Sequence, residues 1–326
     1  MSLGTRTHAA SDMAHYDDYT NRRFRILFEV WLPGKSEATF ESKLCETCGM
    51  VIYTPRPTPE EVNEGYRYLL QMPVAPGQRP VSEEVQSVRA KDLFRIMSRY
   101  ARGGAARVLD FGGGRGQLMT CFADLGCDCF VVDYYPNPIP KVRKLGNTLD
   151  ELPKNMKFDV VICSHVLERL ADPLSVLVQL RSLLSESGIL YVEVPMELWR
   201  CVPVQARAVE AVNPIDHLNF FTVQPLRFLL ERASFSVISC SMDAYVHTNG
   251  SRLTAVRAVA RASNKVRTRY PDGAARATER IICPDLRLRV QMLAIHPDWL
   301  WAAGRSRLIR VREYFARLCR RVPFGR

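Results

Sequence analysis

The sequence predicts an α/β fold with a doubly wound, mostly parallel sheet and an antiparallel hairpin at its edge. Between residues 107 and 194, apolar stretches of strand length alternate with stretches of helical period, which is typical of βα units. Later in the chain two strand-like stretches flank Asn249-Gly250, a dipeptide that favours a hairpin turn. The 326 residues, 47% hydrophobic and 24% charged, suffice for one large or two unequal globular domains.

Three regions are distinguished along the chain. Residues 1–80 are expected to be irregular, because six prolines between positions 55 and 80 interrupt them. Residues 81–261 contain the α/β alternation and form the main domain. Residues 262–326 follow the hairpin as a basic helical extension.

The main domain begins with a helix. Ser82 is a suitable N-cap, and acidic residues and then apolar residues at helical spacing follow it. The parallel strands are predicted at Arg107–Phe111, Asp128–Asp133, Phe158–Cys163 and Gly188–Val194. The later helices are predicted at Gly116–Leu125, Pro173–Ser185 and Val223–Ala233. The strands "FSVISCSMDAY" and "SRLTAVRAVA" form the hairpin, which closes the core near Arg261.

Composition favours a cytoplasmic protein. No apolar run approaches the roughly 18 residues of a membrane span, and the first 20 residues are too polar for a signal peptide. The ten cysteines are scattered, several within predicted strands, so we expect reduced thiols and no disulfide framework.

The net charge of +11 is concentrated at the C-terminus. Residues 251–326 hold 18 of the 45 Lys and Arg but 5 of the 34 Asp and Glu, which leaves the remainder weakly acidic. The basic character therefore belongs to the extension and does not identify the substrate of the main domain.

The stretch "VLDFGGGRG", residues 108–116, predicts a ligand site because a strand runs into glycines and then a helix. It lacks the terminal Gly-Lys-Ser/Thr of a P-loop, and Gln117 stands where a dinucleotide fingerprint requires its third glycine. A loop whose glycines serve only a tight turn is the alternative.

Two carboxylates indicate the chemistry of the ligand. Asp110 near the end of the first strand suits a positive charge and would repel a pyrophosphate. Asp133 ends the next strand 17 residues after Gly116, close to the distance at which doubly wound folds place an acid on ribose hydroxyls. The expected ligand has an adenosine, an ammonium group and no phosphate, and S-adenosylmethionine meets these conditions.

With these features the sequence resembles the class I S-adenosylmethionine-dependent methyltransferases over about residues 81–261. The segments that carry the resemblance are "VLDFGGGRG", "CFVVDYYP", "FDVVICSHVLERLADP", "LLSESGILYVEVP" and "DHLNFFTVQPLRFLLERASFSVI". It implies a Rossmann-like sheet of seven strands. It also implies that the cofactor-binding residues are Asp110 and Gly112 by the methionine moiety, Gly114, Gly116, Asp133 at the ribose and Asp150 at the adenine.

"SHVLERLADP" follows the predicted strand 158–163, whose C-terminal end opens onto the ligand crevice. Ser164, counted with the cofactor-binding residues, and His165 are therefore expected near the transferring methyl group. In many relatives a second histidine follows the glutamate, and Arg169 stands there instead. His165 is assigned to the catalytic pocket, with a wall or helix-capping role as the alternative.

"DHLNFF" resembles the Glu-His pair of sugar C-methyltransferases and related glycan-modifying enzymes, with Asp216 as the acid. His217 is the candidate general base and Asp216 its orienting partner, because imidazole has an ordinary pKa of about 6.5. A base is needed only for a hydroxyl or an enolisable carbon, since alignment supplies most of the rate of methyl transfer. The alternative role of His217 is to orient a loop or pack on Phe220.

The segment "KLCETCGMVIYTPRPTPEEVNEGY" resembles the end of the small zinc-binding domain of sugar C-methyltransferases. A closed zinc site needs four ligands, and upstream of Cys45 and Cys48 there is no further cysteine. We expect a degenerate zinc knuckle that keeps its fold through packing and holds no metal. A zinc ion bound through Cys45 and Cys48 is the alternative.

In the extension, apolar residues from Trp301 to Val322 recur at intervals of three and four, and arginines occupy the other faces. Such a basic amphipathic helix docks on the enzyme or lies on an anionic membrane surface. Nucleic acid is not an expected partner, because no aromatic-interleaved binding motif accompanies the charge.

The sequence thus predicts a methyltransferase that acts on a sugar, a glycan precursor or another small hydroxylated metabolite. An O-methyltransferase for a lipid-linked or aromatic acceptor at the membrane is the first alternative. A non-catalytic S-adenosylmethionine-binding scaffold is the second. Nucleic-acid bases are not expected acceptors, because Cys163-Ser164-His165-Val166 replaces the Asn/Asp-Pro-Pro-aromatic motif, and the oligomeric state stays open.

Overall fold

A computed structural model describes residues 2–15, 18–72, 82–98, 100, 106–153, 155–197, 216–246, 252–267, 269–270 and 275–278. The strands in these residues are β1 Ser2–Ala9, β2 Glu37–Leu44, β3 Val51–Thr54, β4 Arg107–Phe111, β5 Asp128–Val132, β6 Val142–Gly146, β7 Phe158–Ser164, β8 Leu184–Pro195, β9 Asn219–Phe220, β10 Phe235–Val246 and β11 Arg252–Ala262. The helices are α1 Asp18–Arg25, α2 Pro59–Gln71, α3 Glu83–Met97, α4 Thr120–Asp124, α5 Pro173–Ser182 and α6 Val223–Arg232.

The larger sheet has seven strands in the order β10-β11-β8-β7-β4-β5-β6. The strands from β8 to β6 run parallel, whereas β11 pairs antiparallel with both β8 and β10. This arrangement confirms the predicted mostly parallel sheet with an antiparallel edge hairpin. The predicted turn at Asn249-Gly250 and the basic extension beyond residue 278 lie outside the described residues.

The helices of the main domain begin at residues that satisfy their free N–H groups. The Ser82 hydroxyl accepts from the backbone N–H of Val85 at 3.3 Å, which confirms the predicted start of α3. Asp172 caps α5 in the same way. The helix predicted at Gly116–Leu125 is instead a 3₁₀ turn at Gln117–Met119 followed by the single turn of α4.

The N-terminal region is regular, which corrects the expectation that its prolines make it irregular. β1, β2 and β3 form an antiparallel sheet that β9 extends, and side chains of β2 alternate between buried and exposed. Pro59 is the first residue of α2, where a missing N–H costs nothing, and Thr58 with Glu61 forms a capping box ahead of it. This proline therefore marks the start of an element.

The N-terminal elements share a core with the large sheet. Phe24, Leu44 and Tyr53 belong to one buried cluster with side chains of β4 and β7, and the Tyr53 ring meets Phe220 edge to face at 4.8 Å. Arg56 fastens the junction by donating to backbone oxygens that include that of Leu218 at 3.0 Å. In the described part of the chain no helix is long and apolar enough to span a membrane.

Candidate active site

A cavity of about 720 Å³ opens at the carboxyl ends of β4, β5 and β7, between the large sheet and the helices α1 and α2. This is the edge of a doubly wound sheet where ligands bind. Six of the residues expected from the sequence lie on its wall. They are the cofactor-binding candidates Gly112, Gly114, Asp133, Asp150 and Ser164, and the catalytic candidate His165. The cavity is therefore the candidate active site.

The glycine loop after β4 lines the cavity with backbone. Gly112 has a φ of 70°, and a Cβ at this position would lie 2.4 Å from Cγ2 of Val166. Gly114 has a φ of 59°, and no atom lies within 4 Å of the place its Cβ would take. A ligand can therefore approach the backbone at Gly114. Gly116 faces Val142 and Met119 instead.

Asp110 lies behind this loop, and the described cavity wall does not include it. Its carboxyl is fully buried beneath Gly113, and neither oxygen has a hydrogen-bond partner among the described residues. Burial, reinforced by the charge of Asp133, raises the pKa of Asp110 to about 8. The expectation of a charged carboxylate in contact with the ligand does not match this geometry, because Asp110 is covered and uncharged at neutral pH.

Asp133 follows β5 and fixes the loop from the other side. One carboxylate oxygen accepts from the Gly114 N–H and the other from the Tyr135 N–H, each at 2.8 Å. A carboxylate oxygen has two lone pairs, so both oxygens retain capacity for ribose hydroxyls. Asp150 lines the far side of the same end, on the turn Leu149–Glu151.

The opposite side of the cavity carries Ser164 and His165, where β7 ends. His165 has a φ of 57°, and its N–H donates to the Glu193 carbonyl at 2.8 Å, which holds this left-handed residue in place. Nε2 of His165 lies 3.3 Å from a Glu193 carboxylate oxygen, and Nδ1 lies 3.7 Å from one of Glu168. The imidazole therefore sits between two carboxylates.

Glu193 on β8 connects His165 to the hairpin and to α3. Its carboxylate accepts from several side chains: Ser164 at 3.1 Å, Tyr191 at 3.0 Å, Arg257 at 2.7 Å and Arg89 at 3.4 Å. Burial alone would raise the pKa of Glu193. The contact with His165 and the charges of Arg257 and Arg89 outweigh burial and hold this pKa far below its ordinary value.

His217 is buried, and it is not part of the described cavity wall. Its Nδ1 lies 2.6 Å from a Glu197 oxygen, and its Nε2 lies 4.0 Å from Glu168. Asp216 does not orient it, because one oxygen of Asp216 accepts from Arg23 and Arg169 and the other has no described partner. Glu197 takes the role that the sequence analysis assigned to Asp216.

Glu168, one turn after His165 in "SHVLERLADP", was not among the candidate site residues. Its buried carboxylate lies within 4.0 Å of nitrogens of His165, Arg169 and His217, and neither oxygen has a hydrogen-bond partner among the described residues. The N–H of Leu218 donates to the Glu168 carbonyl at 2.7 Å, which brings His217 beside Glu168. The signal in the sequence is the three-residue spacing of His165 and Glu168, which allows the two side chains to meet within one turn.

Cys45 is exposed and Cys48 half-buried, in the turn between β2 and β3. The described ranges contain no group of three or more His, Cys, Asp or Glu side chains arranged to hold a metal ion.

Residues 84–240, just under half of the chain, match the family whose model is described as a methyltransferase domain. This match confirms the predicted methyltransferase domain in this part of the chain.

Two curated relatives are ubiquinone biosynthesis O-methyltransferases. The protein of Actinobacillus pleuropneumoniae serotype 7 is 29% identical over 102 residues, which cover 26% of this chain and 44% of the relative. The protein of Cereibacter sphaeroides is 35% identical over 96 residues, which cover 26% of this chain and 39% of the relative. The chain spans less than half of the length of these relatives.

A solved structure with a similar fold is the 1,6-didemethyltoxoflavin-N1-methyltransferase of Burkholderia thailandensis, with bound 1,6-didemethyltoxoflavin and S-adenosylhomocysteine. It is 18% identical, with a TM-score of 0.47, and the alignment covers 69% of this chain and 96% of that chain.

Proposed function

We propose that the protein transfers a methyl group from S-adenosylmethionine to a hydroxyl oxygen of a sugar, a glycan precursor or another small hydroxylated metabolite. One observation carries this proposal. A single cavity has Asp133 and the open backbone of Gly114 on one side and the imidazole of His165 on the other. These are the parts that an adenosine-containing donor and an acceptor with an acidic proton require.

The donor side fits S-adenosylmethionine. Asp133 would accept hydrogen bonds from the ribose hydroxyls, Asp150 would meet the adenine, and the Gly114 backbone would face the amino-acid portion. The donor supplies an electrophilic methyl group on a sulfonium. Transfer to a hydroxyl oxygen forms a C–O bond, breaks the C–S bond and releases the hydroxyl proton.

We assign the proton to His165, in preference to His217. His165 reaches the cavity, whereas His217 is buried and its Nδ1 contacts Glu197. Glu168, 3.7 Å from Nδ1 of His165, would stabilise the positive charge of the ring once it has taken up the proton. His217, which contacts Glu197 through Nδ1, would help to hold Glu168 in position, because its Nε2 lies 4.0 Å from the Glu168 carboxylate.

The sugar or glycan acceptor rests on resemblance. The motif "DHLNFF" and the Cys45–Cys48 segment resemble sugar C-methyltransferases and the remnant of their zinc-binding domain. In this proposal residues 1–80 are that remnant, and through α1 and α2 they provide part of the wall of the cavity.

The second candidate is an O-methyltransferase for an aromatic or lipid-linked acceptor. The curated relatives are ubiquinone biosynthesis O-methyltransferases. The cavity also has aromatic side chains on its wall, namely Tyr66, Phe111, Tyr134 and Tyr135. Both candidates present a hydroxyl oxygen, so the assignment of His165 is common to them.

Formation of S-adenosylhomocysteine by the full chain tests the proposal, with nucleotide sugars, monosaccharides and catechols as acceptors. We expect turnover with one class and a loss of at least about a hundredfold in His165→Gln, with donor binding retained. Turnover by His165→Gln at the wild-type rate would contradict the assignment, and an inactive His217→Gln beside it would restore His217 as the base. Donor binding without turnover on any acceptor, including a cell extract, would favour the non-catalytic scaffold.

A further inference from the structure

Three arginines line the end of the cavity formed by α1 and by the turn after β7. Arg22 and Arg23 are adjacent on α1, and Arg169 follows β7. Guanidinium groups are planar, permanently charged and suited to paired hydrogen bonds with carboxylate or phosphate oxygens. Each of these positive charges needs a negatively charged partner nearby.

Two of the three arginines already contact carboxylates. Asp216 accepts from Nε of Arg23 at 3.1 Å and also accepts from Arg169. Burial raises the pKa of Asp216, but the charges of Arg169 and Arg23 outweigh burial and hold it below its ordinary value, so Asp216 is ionised. Glu168 lies 3.6 Å from Nε of Arg169. Arg23 and Arg169 are thus matched by Asp216 and Glu168.

Arg22 has no such match. Its guanidinium donates to the carbonyl oxygens of Leu69 at 2.5 Å and Met72 at 3.5 Å, at the C-terminal end of α2. Its Nε has no acceptor among the described residues, and the ion pairs described at this end of the cavity join carboxylates to Arg23 and Arg169 instead. The carbonyls fix the orientation of the side chain but do not cancel its charge.

The remaining carboxylates of the wall are engaged elsewhere. Asp172 accepts from two N–H groups at the start of α5, and Asp133 accepts from the glycine loop. Asp150 lies with Asp133 at the expected adenosine end. No carboxylate on the described wall of the cavity therefore neutralises Arg22, and its charge is available to a ligand.

We propose that the acceptor carries an anionic group, a phosphate ester or a carboxylate, and that Arg22 binds this group at the α1 end of the cavity. The inference rests on the proposed function, because it names a property of the same acceptor. It restricts the hydroxylated metabolite to an anionic one and gives the N-terminal region a role in acceptor recognition.

Calorimetric titration of the full chain with inorganic phosphate and, separately, with acetate tests this inference, in protein saturated with S-adenosylhomocysteine. We expect wild type to bind at least one anion, and Arg22→Gln to bind it at least about tenfold more weakly. The matched control is Arg25→Gln on the same helix, whose side chain is 47% exposed and pairs with Glu29. It should bind as wild type. Preference for phosphate or for acetate identifies the anionic group.

Equal affinity in the two variants, or no binding of either anion, would overturn the inference. Anion binding that disappears when S-adenosylhomocysteine is added would overturn it too, since the site would then be that of the donor carboxylate. If Arg22→Gln does not unfold cooperatively, Arg22→Lys replaces it, and wild-type anion affinity in that variant would overturn the proposal that the Arg22 guanidinium binds the anion. Failure of S-adenosylhomocysteine to bind, with anion binding intact, contradicts the proposed function alone.

Discussion

Replacing Asp110 by Asn should remove a large pH dependence from the stability of the protein. The folded chain keeps the proton of Asp110 up to a pKa of about 8, because the carboxyl is fully buried without a hydrogen-bond partner among the described residues. The unfolded chain loses that proton at the ordinary value of 3.8. Between these values the folded state binds one more proton, so stability falls as pH rises and becomes constant above about pH 8.

The magnitude follows from the two pKa values. One pKa unit corresponds to about 1.4 kcal/mol, and from pH 5 to pH 8 the contribution of this group changes by about 3 to 4 kcal/mol. From pH 5 to pH 8 the free energy of unfolding of wild type should fall by that amount relative to the free energy of unfolding of Asp110→Asn. Any pH-independent change in stability caused by the amide cancels, because the same two proteins are compared at each pH.

Urea unfolding at pH 5, 6.5 and 8 provides the measurement, with Asp124→Asn as control, because the Asp124 side chain is 62% exposed. The stability of Asp110→Asn minus that of wild type should rise with pH, whereas the same difference for Asp124→Asn should change by less than about 1 kcal/mol. If this difference for Asp110→Asn is equal at pH 5 and pH 8, the Asp110 carboxyl does not keep its proton in the folded chain.

Two further predictions concern the walls of the cavity. Gly112→Ala should lower the free energy of unfolding by about 2 to 4 kcal/mol in urea titrations, because a Cβ would lie 2.4 Å from Val166 on a left-handed backbone. Gly34→Ala, with a φ of 78° but no neighbour within 4 Å, should cost only about 1 kcal/mol, and equal losses would contradict the clash. Tyr66→Ala should weaken S-adenosylhomocysteine binding about three- to tenfold by calorimetry, because Tyr66 lies parallel to Tyr134 on the cavity wall at 6.2 Å. Unchanged affinity for S-adenosylhomocysteine would exclude a role of Tyr66 in donor binding.

The position of Asp133 could be predicted from the sequence because it depends on local rules. The alternation of strands and helices fixes which chain segments end at the same edge of a parallel sheet. Asp133, Ser164 and His165 each come at or just after the end of a predicted strand, and the structure brings them to one cavity. Asp110 is also close to a strand end. However, Gly113 packs over its carboxyl, and residue spacing does not predict that packing.

The partner of His217 could not be predicted, because it depends on long-range contacts. Asp216 precedes His217 in the chain, yet Arg23, 193 residues away, takes its carboxylate, and Glu197 takes the imidazole. The N-terminal sheet was missed for a related reason. Its fourth strand, β9, comes from residues 219–220, and no local pattern joins that segment to β3.

Calorimetric titration with S-adenosylhomocysteine tests whether the donor binds at the Gly114–Asp133 end of the cavity. We expect Asp133→Ala to bind about a hundredfold more weakly than wild type, since two charge-assisted hydrogen bonds to the ribose would be lost. Asp128→Ala, at the start of β5 with a side chain 61% exposed, should bind as wild type. Wild-type affinity in Asp133→Ala would show that the donor does not bind at this end of the cavity.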